Sequence, residues 1–135
     1  MSVLQDLSKH LSDCEFKGYR FNCLPMNSGQ EVLRVEVSGL EEIPIFITVT
    51  ETQILCISYL FTKQESHSEM EAELNQYLLE LNLPMPLSAF ALVDDYYTIF
   101  GALDRESNNE SICQELITLA ANSIDTLQAL EDYIK

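Results

Sequence analysis

An α+β fold with helices packed on an antiparallel sheet is what this sequence predicts, on three observations. Short runs of alternating apolar and polar residues recur between Tyr19 and Phe61. The connections between those runs are too short to hold crossover helices, which favours antiparallel pairing. Three longer stretches, at the start, middle and end, carry apolar residues at helical spacing. The predicted order is α-β-β-β(-β)-α-β-β-α, in a single domain spanning residues 1–135.

The elements follow in order. Ser2 to Cys14 places Leu4, Leu7 and Leu11 on one helical face, and Ser2 with Gln5 fits a capping box. Gly18 breaks that pattern. Tyr19 to Leu24 then alternates as an additional strand, ahead of a turn cluster at Pro25-Met26-Asn27-Ser28-Gly29. Leu33, Val35 and Val37 alternate with Arg34, Glu36 and Ser38, the pattern of a strand with one wet face. Past a turn at Gly39 to Pro44, Ile45, Ile47 and Val49 alternate with Phe46, Thr48 and Thr50. Ile54 to Phe61 is almost continuously apolar, as expected of a strand covered on both faces.

Ser66 with Glu69 predicts the start of a second helix, with Met70, Leu74, Tyr77, Leu78 and Leu81 as its apolar stripe. Glu65, Glu69, Glu71 and Glu73 crowd its first turns, where the helix dipole favours negative charge. Pro84 and Pro86 stop it. Leu87 to Val93 and Tyr96 to Leu103 form a hairpin about Asp94-Asp95. Ser107 with Glu110 opens a third helix that runs nearly to Lys135. Its apolar residues fall in two rows, Ile112, Leu116, Leu119, Leu130 and Tyr133 beside Ile117, Ala120, Ile124, Leu127 and Ile134. Two rows imply a wider contact than one stripe, either a broad sheet face or a sheet plus a partner subunit.

Seven Lys and Arg against 22 Asp and Glu leave a net charge of −15, and between Gln64 and Ile134 the one Lys or Arg is Arg105. Such a chain has few cations to displace counterions, so neither nucleic-acid phosphates nor anionic lipid surfaces attract it. Met1 to Asp13 lacks a basic start followed by an apolar run, and no stretch reaches the roughly 20 apolar residues that span a bilayer. The expectation is a cytoplasmic protein with no membrane insertion. Cys14, Cys23, Cys56 and Cys113 form no C-x-x-C pair and are expected reduced, with Cys56 and Cys113 as small core residues.

No catalytic motif is present. Only His10 and His67 are available for imidazole chemistry, and both sit in polar contexts. No ligand spacing for zinc or calcium occurs, and neither a nucleophile elbow, a P-loop nor a dinucleotide fingerprint is found. Asp94, Asp95 and Asp104 are the nearest approach to a carboxylate cluster and read as turn residues. Tyr96, Tyr97 and Phe100 share a strand but lack the basic neighbours of a nucleic-acid stacking platform. The expectation is no enzyme, no metal and no cofactor. Two alternatives stay open. A small enzyme or ligand-binding protein would bring His10, Cys14 or Asp94 into one cleft, and an acidic nucleic-acid mimic would set carboxylates at phosphate-like spacing.

Three segments carry a family resemblance: Glu51-Thr52-Gln53-Ile54-Leu55-Cys56-Ile57-Ser58-Tyr59-Leu60, Leu81-Asn82-Leu83-Pro84-Met85-Pro86-Leu87-Ser88 and Tyr97-Thr98-Ile99-Phe100-Gly101-Ala102-Leu103. Together they resemble the YjfI-like proteins, a bacterial family of uncharacterised function, over nearly the whole chain. The resemblance supplies no catalytic residues. It implies a gene neighbourhood shared with a phage-shock-protein-A-like, membrane-remodelling coiled-coil protein, and hence a partner of that kind in envelope stress. The order of elements also resembles the type III secretion chaperones and the YbjN-like proteins, small acidic dimers that hold client segments. The resulting expectation is a non-enzymatic protein-binding module, chaperone- or adaptor-like and homodimeric. The C-terminal helix would form the dimer through Ile117, Ile124 and Leu127, and an exposed sheet face or edge with Phe46, Tyr97 and Ile99 would take a client.

Overall fold

A computed structural model of the chain describes residues 2–135, the side chains of residues 27 and 28 excepted. Its elements are α1 (Val3–Ser12), β1 (Glu15–Phe16), β2 (Tyr19–Ser28), β3 (Gln30–Val37), β4 (Ile45–Val49) and β5 (Ile54–Thr62), followed by α2 (Glu71–Asn82), β6 (Ala89–Val93), β7 (Tyr96–Leu103) and α3 (Asn109–Ala129). The strands form one antiparallel sheet in the order β1-β2-β3-β4-β5-β7-β6. The fold is therefore α+β, with the expected order plus a two-residue strand, β1, ahead of the first long one.

Side chains of a strand alternate between faces, and directly paired residues share a face. The pairs Phe21 with Val37, Val35 with Ile45, Ile47 with Cys56 and Ser58 with Ile99 put all these residues on one side. That side is covered by α1, through Leu4, Leu7 and Leu11, and by α3, through Ile112, Cys113, Leu116, Ile117, Leu119 and Ala120. Apart from Ile124, which is half-buried and in neither apolar cluster, both rows of the predicted third helix are thus absorbed by the sheet and its neighbours. What α3 turns outward is Ser111, Gln114, Thr118, Ala121, Asp125 and Gln128, none of them fully buried and none strongly apolar.

A register shift between Tyr59 and Phe61 changes the phase of β5. Before it, Ile54, Cys56 and Ser58 point inward; after it, Phe61 does. A bulge supplies the extra residue that this change needs. Phe61 then stacks beside Tyr97, ring centroids 5.0 Å apart, and joins Leu74 and Leu78 of α2 and Leu130 in a second apolar cluster. β5 is not covered on both faces, as its unbroken apolar run implied: its burial alternates, because no helix of the described residues lies on the other side.

Helix starts divide the expectations. Ser2 and Gln5 do form a capping box. Ser66 does not begin α2. Thr62 and Glu65 make a capping box on a short 3-10 turn, a second 3-10 turn spans Ser68–Met70, and α2 starts at Glu71. Ser66 instead bridges to Ile134, where the Lys135 amide also donates to the Glu65 carbonyl at 2.8 Å. At α3 the cap is Asn108, whose side chain accepts from the Ser111 amide at 2.8 Å, and not Ser107. β2 also runs through Pro25 to Ser28, and the turn is confined to Gly29 at φ 86°. The hairpin at Asp94-Asp95 forms as expected, with Asp94 in the left-handed region at φ 53°.

Candidate functional site

Among the described residues, no helix lies over the second side of the sheet. A row of paired residues crosses it from β2 to β6: Leu24, Arg34, Phe46, Ile57, Phe100 and Ala89. Flanking rows hold Thr48, Leu55 and Ala102 on one side and Tyr59, Thr98 and Ala91 on the other. Across β4, β5, β7 and β6 this face carries no charged residue. Alternation explains why: Phe46, Ile57 and Phe100 occupy the positions between inward residues, where a solvated sheet would place polar groups.

The aromatic rings are ordered. Tyr59 meets Phe46 edge-on at 5.8 Å and Tyr96 edge-on at 5.3 Å, so three rings form a continuous band. Tyr59 and Tyr96 remain 39% and 43% exposed, and Leu24 56%. Thr98, buried beneath them, satisfies its hydroxyl by donating to the Ala91 carbonyl at 3.0 Å. At the β3 end of the row lies Arg34, whose Nε is buried and has no hydrogen-bond partner among the described residues. A guanidinium nitrogen withdrawn from water without a partner carries a desolvation cost.

The residues expected at interfaces are distributed over both sides. Phe46 lies on the open face. Tyr97 and Ile99, at 2% and 0% exposure, point to the helix-covered side, and Tyr97 donates its hydroxyl to Asn75 Oδ1 at 2.7 Å. Ile117 is buried in the main core, Leu127 packs against the second cluster, and Ile124 is half-buried. Sequence reasoning missed Ile57, Tyr59 and Phe100 because an apolar run such as Ile54 to Phe61 does not reveal which parity is covered. The signal that could have found them is the lack of charge on both parities of β5 and β7.

Two further features belong to the covered side. Glu115 of α3 is 3% exposed, one carboxyl oxygen has no partner among the described residues, and burial pushes its pKa up to about 7. Burial, with the Glu115 charge adding to it, pushes the Cys56 thiol up to about 12. Near the end of α1, His10 and Cys14 line one depression with Asp6, Lys9, Asp13 and Glu15, while Asp94 stands apart in the β6–β7 turn. Among the described residues no group of three or more His, Cys, Asp or Glu side chains could hold a metal ion, and no helix is long and apolar enough to cross a membrane.

A family profile described as "Uncharacterized protein conserved in bacteria (DUF2170)" matches residues 2–134. The chain is 25% identical over 114 residues to "Uncharacterized protein YjfI" of Escherichia coli strain K12, an alignment covering 82% of this chain and 84% of that one. The same figures hold for the protein of that name in Escherichia coli O157:H7. The YjfI-like resemblance read from residues 51–60, 81–88 and 97–103 is thereby established.

Proposed function

This chain belongs to the DUF2170 family of uncharacterized bacterial proteins, and on that premise we propose that it is a non-enzymatic, cytoplasmic protein-binding module whose open sheet face seats an apolar client segment. One observation carries the reading. In a chain of net charge −15, the face of β4, β5, β7 and β6 opposite the helices is free of charge and banded with aromatic rings. Contiguous exposed apolar surface of this kind marks interaction sites.

The client we infer is an amphipathic helix of a phage-shock-protein-A-like coiled-coil protein, laid with its apolar stripe across the Phe46–Tyr59–Tyr96 band. An acidic residue beside that stripe would meet Arg34. The likeness in layout to secretion chaperones supports this only as analogy. A homodimer fits the same face better than it fits α3, whose outward side is polar.

Site-specific photo-cross-linking in the bacterial host tests the reading, with the cross-linker at Tyr59 and, as control, at Gln128 on α3. Capture of a coiled-coil protein from position 59 alone is the expected result. Equal capture from both positions, or none from either, overturns it; cross-links to a second copy from position 59 assign the face to dimerisation instead.

One observation favours a second reading, a small thiol enzyme. His10 and Cys14 share a depression, and the Asn109 amide nitrogen lies 2.7 Å from His10 Nε2. Alkylation of Cys14 as a function of pH decides it. A catalytic thiolate reacts well below the ordinary thiol range near about 8.5, and a rate that rises only within that range removes the second reading.

A further inference from the structure

The Sγ atoms of Cys14 and Cys113 are 3.7 Å apart although the residues are 99 positions apart in the chain. Their contact is fixed from both sides. His10 and Asn109 meet at 2.7 Å, and Lys17 Nζ donates to Gln114 Oε1 at 2.6 Å, so the segment from the end of α1 to β1 is pinned along the first turns of α3. A disulfide has its sulfurs about 2.05 Å apart. The two sulfurs therefore have about 1.65 Å still to close (3.7 − 2.05) before they bond.

The two thiols differ in access. Cys113 is 1% exposed inside the main core, and burial, followed by its contact with Cys14, pushes its pKa up to about 12. Cys14 is half-buried and opens on a depression of about 650 Å³ lined by Asp6, Lys9, His10, Asp13 and Glu15. An oxidant arriving from solvent therefore reaches Cys14, while Cys113 waits behind it.

We propose that Cys14 and Cys113 are a redox-sensitive dithiol, modified by peroxides to an intramolecular disulfide that fastens α1 to α3. In the first step the Cys14 sulfur, as thiolate, attacks one peroxide oxygen. The O–O bond breaks, one OH group passes to the sulfur, the departing hydroxide takes up the proton that the Cys14 thiol had released on ionising, and Cys14 sulfenic acid and water result. In the second, the Cys113 sulfur attacks the Cys14 sulfur, the S–O bond breaks, and the oxygen leaves as water with the Cys113 proton. Two thiols are oxidised by two electrons and one peroxide is reduced to two waters. Reduction by a small dithiol reverses the bond through a mixed disulfide. The proposal is independent of the client-binding reading, since the pair lies on the covered side of the sheet.

The test uses the full-length reduced protein treated with hydrogen peroxide, followed by alkylation and peptide mass spectrometry. The expected product is a Cys14–Cys113 cross-linked peptide lacking two hydrogens. It should be reversed by dithiothreitol, be absent from Cys14→Ser and persist in Cys23→Ser, with a higher Tm for the oxidised chain. Accumulation of Cys14 sulfinic acid beside a free Cys113 thiol overturns the proposal. So does a bond from Cys14 to Cys23 or to a second chain. These outcomes are read on the unmutated protein, so a poorly folding variant does not obscure them.

Discussion

The carboxyl group of Glu115 on α3 lies against the bare α-carbon of Gly101 on β7, occupying the space that a β-carbon there would take. Gly101 faces the helices, paired with Cys56, and has no positive φ, so close approach and not backbone freedom is what requires glycine at this point. The carboxyl is thereby held in the core, one of its oxygens without a partner among the described residues.

Gly101→Ala should accordingly destabilise the fold by about 1–3 kcal/mol, the usual cost of overpacking. The new methyl group meets Glu115 and, at 3.0 Å, the Leu87 carbonyl oxygen. Urea denaturation of Gly101→Ala, Glu115→Ala and the double variant measures the coupling. The double variant should be more stable than the sum of the two single losses implies; simple additivity would show that the two groups do not share this space.

Stability should also depend on pH through Glu115. Its pKa in the folded chain, about 7, lies above the ordinary 4.5, with burial as the cause. The folded state then holds the proton more tightly than the unfolded one. Stability from this group is fully present below about 4.5, declines as pH rises towards about 7 and levels off above it. Glu115→Gln keeps the shape and removes the titration, so its Tm at pH 8 should exceed that of the unaltered protein. A parallel pH profile for the two proteins would refute the assignment.

Tyr97→Phe should cost about 1 kcal/mol, the net contribution of one hydrogen bond, because its hydroxyl donates to Asn75 Oδ1 between β7 and α2. Calorimetry should register a Tm lower by a few degrees, with the Phe61 stacking preserved. An unchanged Tm would mean that water replaces the hydroxyl at Asn75 without loss.

On the open face, Tyr59→Glu should cost about 1–3 kcal/mol, the loss of two edge-on ring contacts, while leaving the chain folded and sharply reducing the binding of an apolar fluorescent dye. Tyr59 is the central ring of the band and is 39% exposed. Undiminished dye fluorescence would place the exposed apolar surface elsewhere, such as the groove that Leu79 lines between α2 and β6.

Much of the fold is legible in local patterns. Leu4, Leu7 and Leu11 mark the inner side of α1, and Leu33, Val35 and Val37 mark the inner side of β3, because alternation and helical spacing are local properties. The caps of α2 and α3 were misplaced for an equally physical reason. Ser66 and Ser107 are as competent as Asn108 to cap a helix, and which one does so depends on where neighbouring chain runs. Ser66 is taken by Ile134, a partner 68 positions away.

The amino-acid sequence by itself determined the α+β class, the element order apart from the two-residue β1, the acidic character and the membership that the three familiar segments announce. These follow from short-range periodicity, composition and residue identity. Only the tertiary structure decided which parity of β5 and β7 is covered, that Tyr97 and Ile99 belong to the core while Tyr59 and Phe100 stay in the open, and that Cys14 touches Cys113. The reason is that a strand apolar on both faces is locally symmetric. Packing of α1 and α3 on one side breaks that symmetry, and contacts across 99 residues exist only once the sheet has brought both ends of the chain together.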